Sequence, residues 1–253
     1  MKLNVKNLTY GVSDLRILNG IDASVDSGEF VGMIGPNGCG KSTMLKCIYR
    51  ELSPNDGVIE LGGRNIRIFS NRELAKEMSV MIQENHVEFE MSVMDMVLLG
   101  RYAHKKIFSG TDQNDRKIAR ESLQKVGMLE YENRSFLHLS GGEKQRILIA
   151  RALAQKADFI ILDEPTNHLD IKYQYQIMNV LKKEKSTVFS SVHDLNIAAQ
   201  YCDKILLLYQ GRVVDCGTPE QVITENNIRK YFGVNAQVTI NSISRKVQVY
   251  FLP

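Results

Sequence analysis

The amino-acid sequence predicts an α/β domain in which the alternation of strands and helices is interrupted by a helix-only insert. Runs of strand length recur in two blocks, Leu3 to Gln83 and Phe159 to Tyr209. Between them, from about Val93 to Ala157, apolar residues fall at helical spacings of three and four (Val93, Met96, Val97; Ile118, Leu123, Val126). The runs Phe159 to Leu162 and Thr187 to Ser191 are compact and β-rich, as in a sheet buried on both faces.

Taken in order, Leu3 to Tyr10 alternates roughly with period two, and after a turn Gly20 to Val25 supplies an antiparallel partner. Glu29 to Ile34 is a mostly apolar strand ending on a glycine-rich loop, after which Lys41 to Arg50 reads as helix. Val58 to Leu61 with Gly62-Gly63 gives another antiparallel strand and its turn, and Met78 to Gln83 a short buried strand. Beyond the insert, Ile197 to Tyr201 is helical and Lys204 to Tyr209 is a strand turning at Gln210-Gly211. Pro219 to Phe232 is expected to be helix, and Gln237 to Phe251 alternates weakly like a last hairpin. The expected organisation is a single domain over residues 1–253. An α/β core with an antiparallel β subdomain occupies 1–88 and 158–217, the helical subdomain 89–157, and a C-terminal extension 218–253.

The bulk properties narrow the function. A chain of 253 residues, 43% hydrophobic and 24% charged, with 18 glycines and 5 prolines, can bury a sizeable core. A net charge of +3 is too small to argue for nucleic acid or an anionic membrane surface, and Lys182-Lys183-Glu184-Lys185 reads as a solvated helix end. No stretch approaches the roughly 18 apolar residues that cross a bilayer. Met1 to Lys6 is too polar for a secretory signal, so the chain is expected in the cytosol unless a partner holds it at a membrane. Cysteines 39, 47, 202 and 216 lack zinc spacing and are expected to be free thiols. Cys39 lies near a helix N-terminus, which is expected to lower its pKa, and its alkylation is expected to block nucleotide binding.

The chemistry begins at Gly35-Pro36-Asn37-Gly38-Cys39-Gly40-Lys41-Ser42-Thr43, a Gly-x4-Gly-Lys-Ser spacing between a strand and a helix, which fits the P-loop pattern. Its glycines let N–H groups turn inward around phosphate oxygens, and the helix N-terminus adds partial positive charge. Lys41 is expected on the β- and γ-phosphates of ATP, and the Ser42 hydroxyl on Mg²⁺. A second carboxylate element follows from the metal's preference for oxygen ligands. Phe159 to Leu162 ends in Asp163 and Glu164, at the strand end where α/β sheets place ligands. Asp163 is the acid expected beside Mg²⁺, and Glu164 the group expected to polarise the attacking water. Leu139-Ser140-Gly141-Gly142-Glu143 then opens a helix. Ser140 and Glu143 form a capping box, and Ser140, Gly141 and Gly142 make a second anion site.

Leu139-Ser140-Gly141-Gly142-Glu143 resembles the signature motif of the ATP-binding cassette (ABC) ATPases, and that family's other motifs lie in order around it. Gln83 looks like the Q-loop glutamine, Asn167-His168-Leu169-Asp170 like the D-loop, and His193 like the switch histidine. Tyr10 falls where the family places an aromatic residue against adenine. The resemblance covers Leu3 to about Gly217. It implies a P-loop NTPase (RecA-like) core with an antiparallel β subdomain and an inserted helical subdomain. It also implies an ATP-dependent head-to-tail homodimer, in which Ser140, Gly141 and Gly142 of one copy face the γ-phosphate on the P-loop of the other. His193 would contact the γ-phosphate, and Gln83 would sense Mg²⁺. Asp170 would line the nucleotide interface.

A chain with no spanning segment implies, in this family, a separate membrane permease and a place at the cytoplasmic face of the membrane. A substrate-binding protein would act upstream. The DNA-repair and chromosome members are excluded because no long coiled coil separates the P-loop from the signature. Ribosome-acting members normally carry two cassettes, and this chain has one P-loop. The iron–sulphur cluster assembly ATPase is the alternative reading. Leu99-Gly100-Arg101-Tyr102-Ala103-His104 is similar to a stretch of the ATPases that power uptake of iron–siderophore complexes, haem and cobalamin, with Ala103 where that subgroup usually has proline. Leu169-Asp170-Ile171 with Gln174, and Tyr231-Phe232-Gly233-Val234, agree with it. The expected cargo is an iron chelate or cobalamin.

Overall fold

The computed structural model describes residues 1–82, 90–105 and 110–252. The chain divides into two compact units, Met1–Ile68 with Ser186–Pro253, and Phe69–Lys185. The first unit opens with β1 (Leu3–Val12) and β2 (Leu15–Val25), paired antiparallel from Leu3↔Val25 to Val12↔Leu15. Register shifts after Val5, Leu8 and Tyr10 break the period-two signal, so both strands run further than their alternation suggests. β3 (Phe30–Ile34) is buried at all five positions and leads through the glycine-rich loop to α1 (Lys41–Ile48). β4 (Asp56–Leu61) pairs antiparallel with the other side of β1, and β5 (Arg64–Asn65) folds back on it across Gly62-Gly63.

The second unit begins with α2 (Asn71–Glu77), closed by a Ser70/Glu73 capping box. β6 (Met78–Met81) follows, then α3 (Val93–Leu98), which tightens into a 3₁₀ turn over Leu99–His104. Next come α4 (Gln113–Lys125) and α5 (Gly141–Ala154). α5 is buried nearly all round from Gln145 to Ala154, which marks it as the core helix of this unit. β7 (Phe159–Asp163) lies parallel to β6, from Met78↔Phe159 to Met81↔Leu162. α6 (Ile171–Lys183) ends the unit; it buries only Ile177, Met178 and Leu181, too narrow a stripe to stand out among its polar residues.

Returning to the first unit, β8 (Thr187–Ser191) runs parallel to one side of β3, with Phe30↔Val188 in register. α7 (Leu195–Tyr201) leads to β9 (Lys204–Tyr209), parallel to the other side of β3, and β10 (Arg212–Gly217) turns back antiparallel on β9. The fully apolar β3 is thus a central strand. Each large side chain buried there contributes roughly 1.5–3 kcal/mol. The helix expected over 219–232 is broken into α8 (Pro219–Val222), α9 (Glu225–Asn227) and a π turn over Ile228–Phe232. The break follows from local capping: Thr224 Oγ1 accepts from Asn227 N at 3.2 Å and restarts the helix. The hairpin of β11 (Asn235–Ile240) and β12 (Val247–Leu252) closes the chain. It docks on α7 through Asn196, whose Oδ1 accepts from Val249 N (2.7 Å) and whose Nδ2 donates to Val249 O (3.2 Å). Among the described residues no helix is long and apolar enough to cross a membrane.

Candidate functional site

The first unit carries the phosphate loop. At its first residue, Gly35, φ is 150°, and a Cβ there would sit 2.2 Å from the Leu208 carbonyl oxygen. Gly40 is the N-cap of α1 and offers no side-chain acceptor, so the first-turn N–H groups suit an anionic ligand. Cys39 N donates to Pro36 O at 3.3 Å and closes the turn. Asn37 and Gly38 are exposed, while Ser42 and Thr43 are half-buried at the start of the helix. Lys41 is only 6% exposed. Its Nζ donates to Gly35 O at 2.7 Å and Pro36 O at 3.1 Å, so the ammonium is stored inside the loop by carbonyls that an anion can replace.

Burial corrects the expectation for Cys39. It raises the thiol pKa, and this outweighs the opposing effects of the Lys41 charge and of backbone N–H groups. Sequence reasoning also missed the loop's support. Gly211 N donates to Cys39 O at 3.0 Å, and Asn19 N donates to Gly211 O at 2.8 Å. The contact joins residues 172 apart in sequence, and its one local signal is the glycine of the β9–β10 turn.

The other candidates of this unit gather near the loop. Val192 N donates to Met33 O at 2.9 Å, which sets the exposed His193 beside the C-terminal end of β3. Asp194 caps α7, accepting from Asn196 N at 2.7 Å and Ile197 N at 3.1 Å. Tyr10 is half-buried on β1 opposite Leu18, and a Cβ on Gly40 would come within 2.9 Å of the Leu18 side chain. The tyrosine is therefore one cross-strand pair from the loop. A cavity of about 650 Å³ opens beside Gly38, lined by Arg16, Ile17, Asn19, Gly211 and Arg212 among others.

The second unit carries the acids and the signature. Asp163 is the last residue of β7 and is 6% exposed. Glu164 follows with φ of 51°, a left-handed conformation that a glutamate holds only under constraint. The constraints are Gln145 Nε2 on Glu164 O (3.1 Å), Asn167 N on the same oxygen (3.2 Å), and Asn167 Nδ2 on Glu164 Oε2. The exposed Asp170 starts α6, its carbonyl accepting from Tyr173 N at 2.8 Å.

Ser140 caps α5, with Ser140 N donating to Glu143 Oε2 at 2.8 Å and Glu143 N to Ser140 Oγ at 3.4 Å. The Ser140 N–H holds the Glu143 pKa below its usual value, helped by the Ser140 hydroxyl. Gly141 is exposed. A Cβ on Gly142 would lie 3.0 Å from His168 O, so Gly142 lies against the Asn167–Asp170 turn, whereas one on Gly141 would meet nothing within 4 Å. Gln83 lies outside the described residues.

The metal candidates fit Mg²⁺ by chemistry. Ser42 offers a hydroxyl and Asp163 a carboxylate, the oxygen donors that this ion takes one or two at a time, with water and phosphate completing its shell. Among the described residues no three His, Cys, Asp or Glu side chains cluster as a larger cage.

Comparison with known proteins places the chain. A family model described as ABC transporter matches residues 18–167. The iron(3+)-hydroxamate import ATP-binding protein of Bacillus subtilis is 34% identical over 248 residues, covering 96% of this chain and 92% of that one. The cobalamin import ATP-binding protein of Halobacterium salinarum is 35% identical over 257 residues; the alignment covers all of this chain but only 64% of the relative's length. Among solved structures, a chain of an ABC transporter in an inward-facing conformation superposes with a TM-score of 0.83 at 28% identity, covering 99% of this chain and 97% of that one. The chain belongs to the ABC transporter family and has the fold of that family's ATPase cassettes.

Proposed function

We propose that this chain is the ATP-binding and ATP-hydrolysing subunit of an ABC importer, energising uptake of an iron chelate or cobalamin through a separate permease. The observation that carries the reading is the phosphate loop: a buried lysine stored on two loop carbonyls, ahead of a helix with no capping side chain. ATP phosphates exchange for those carbonyls on Lys41, and the loop N–H groups receive the remaining oxygens. Ser42 and Asp163 would hold Mg²⁺, with Gln83 as a further candidate ligand, and the ion would neutralise phosphate charge. Tyr10 stacks on adenine. Glu164 accepts a proton from the attacking water, and its constrained turn supports that role by holding the residue in place. His193 contacts the γ-phosphate and orients Glu164 and the water.

The site is half of a pair in this reading. Two copies close head to tail, and Ser140, Gly141 and Gly142 of one meet the γ-phosphate held by the other, with Asp170 at the seam. Closure and release drive a permease at the cytoplasmic face of the membrane, served by a substrate-binding protein. Support for the cargo comes from the relatives named for hydroxamate iron and cobalamin import. The decisive experiment is Glu164→Gln. The variant should bind ATP, form a long-lived dimer and hydrolyse at least about 100-fold more slowly, as loss of general-base catalysis entails. Near-normal turnover would remove Glu164 from its role. Co-purification with a polytopic membrane protein tests the transporter assignment; binding to a soluble iron–sulphur scaffold instead would overturn it.

A further inference from the structure

The turn Leu99–His104 has no part in the mechanism above, yet it is built against the far end of the signature helix. The last carbonyls of α5 have no partner within the helix and carry partial negative charge. Arg101 Nη1 donates to Ala154 O at 2.8 Å and lies 3.5 Å from Gln155 O. His104 Nε2 lies 2.7 Å from Gln155 O; since a carbonyl only accepts, that nitrogen carries the proton. Gly100 packs so closely that a Cβ would come within 2.3 Å of Arg151 O, which puts the turn's backbone directly on the last turn of α5.

The clamp is itself held. Arg101 Nε donates to Asp115 Oδ1 at 3.0 Å, and both side chains are under one-tenth exposed, so the guanidinium joins the start of α4 to the end of α5. Arg72 of α2 donates to Ala103 O at 3.1 Å. Gln155 Nε2 reaches Ala75 O at 2.5 Å and Met78 O at 2.8 Å, tying the same helix end to α2 and β6. Lysine is a poor substitute for Arg101 here, because the guanidinium meets Asp115 and the helix end from two separate nitrogens in a fixed plane, Nε and Nη1, whereas lysine would have to reach both from one.

We infer that Arg101 is a positioning residue for Ser140, fixing the tilt of α5 from its C-terminal end. The inference rests on the reading that Ser140 meets a phosphate held by a second copy. α5 has 14 residues, so it is about 21 Å long. A tilt of about 5° at the clamp moves Ser140 by about 2 Å, and a misplacement of about 1 Å can cost about 100-fold in rate. Phosphate binding within one copy does not involve this end of the helix.

The test uses the full chain with Arg101→Lys, and separately His104→Ala, an exposed position whose loss leaves the buried pair intact. Measured are mant-ATP affinity of the single copy, ATP-driven dimerisation in the Glu164→Gln background, and kcat and KM at several protein concentrations. Arg101→Lys should weaken dimerisation at least about 10-fold and lower kcat by a similar factor at fixed protein concentration. Raising the protein concentration should restore rate, and mant-ATP affinity should stay within about twofold. His104→Ala should shift dimerisation the same way by about two- to threefold, as loss of one hydrogen bond allows. A folded Arg101→Lys with a lower melting temperature but unchanged dimerisation and kcat would overturn the inference, as would neutrality of both variants. If Glu164→Gln alone forms no ATP-driven dimer, or Ser140→Arg fails to abolish it, the cross-copy reading falls first and the role of Arg101 with it.

Discussion

Gly211 and Gly233 form a matched pair for measuring what the phosphate loop leans on. Both have φ of 72°. A Cβ on Gly211 would lie 2.1 Å from Ile17 O and 2.9 Å from Ile17 C, whereas one on Gly233 meets nothing within 4 Å. Alanine at either site incurs the left-handed penalty of about 1–2 kcal/mol and regains about 0.4–1 kcal/mol from a stiffer unfolded chain. Gly233→Ala should therefore cost about 1 kcal/mol. Gly211→Ala adds a backbone overlap that nothing flexible can relieve, worth about 1–3 kcal/mol more, for a total of about 2–4 kcal/mol. Both residues lie in the same unit, so urea unfolding compares them within one transition. Displacing Gly211 also pulls its N–H from Cys39 O, so ATP affinity should fall in Gly211→Ala and hold in Gly233→Ala. If the two variants unfold within about 0.5 kcal/mol of each other, the close approach to Ile17 is not a constraint, and the proposed support of the loop fails with it.

Lys41→Ala should weaken ATP binding about 10- to 100-fold, since one charge-assisted contact is worth about 1.5–3 kcal/mol and each 1.4 kcal/mol is about tenfold. An affinity within about threefold of the parent, by fluorescence titration, would contradict this. Among the thiols, exposed Cys216 should react first with iodoacetamide. Cys39 should lag and be shielded further by ATP, because burial raises its pKa, and Cys47, pushed up to about 11, should be the slower still. Mass mapping of the labelled sites reads the order, and rapid neutral-pH labelling of Cys39 would count against it. Glu143 has its folded pKa depressed below 4.5, so its capping contribution is complete above the ordinary carboxylate range and disappears as pH falls through the depressed value. The melting-temperature gap between the parent and Glu143→Gln should be constant near neutrality and close in acid; a gap that widens in acid would reverse the assignment.

What could be read from sequence had a local cause. β3, β7 and β8 are short runs buried at every position, so composition alone exposes them. The Ser140/Glu143 box is a spacing rule that the helix then obeys. The misses have equally physical reasons. α6 hides because its core stripe is narrow, and the Ser70/Glu73 box of α2 falls in a stretch with little apolar periodicity. For Cys39 the local argument lost to a tertiary one, since packing against Gly35 and Lys41 removes the thiol from water. The resemblance singled out the stretch around Arg101 but not its burial, because the partner that allows a guanidinium into the interior, Asp115, lies fourteen residues on.

Asn196 grips the C-terminal hairpin by the main chain, donating to and accepting from the same residue as a neighbouring strand would. The side chains of Tyr250, Phe251 and Leu252 are exposed, and only Val247 and Val249 of β12 are buried. Sequence change can therefore accumulate over most of this hairpin without loosening it, provided the backbone stays extended. Much of its attachment runs through an amide three residues after His193, with Glu225 accepting from Val238 N and Arg229 donating to Asn235 on the other strand. Lineages of this chain could thus exchange one hairpin surface for another, with no corresponding change in the loop that holds ATP.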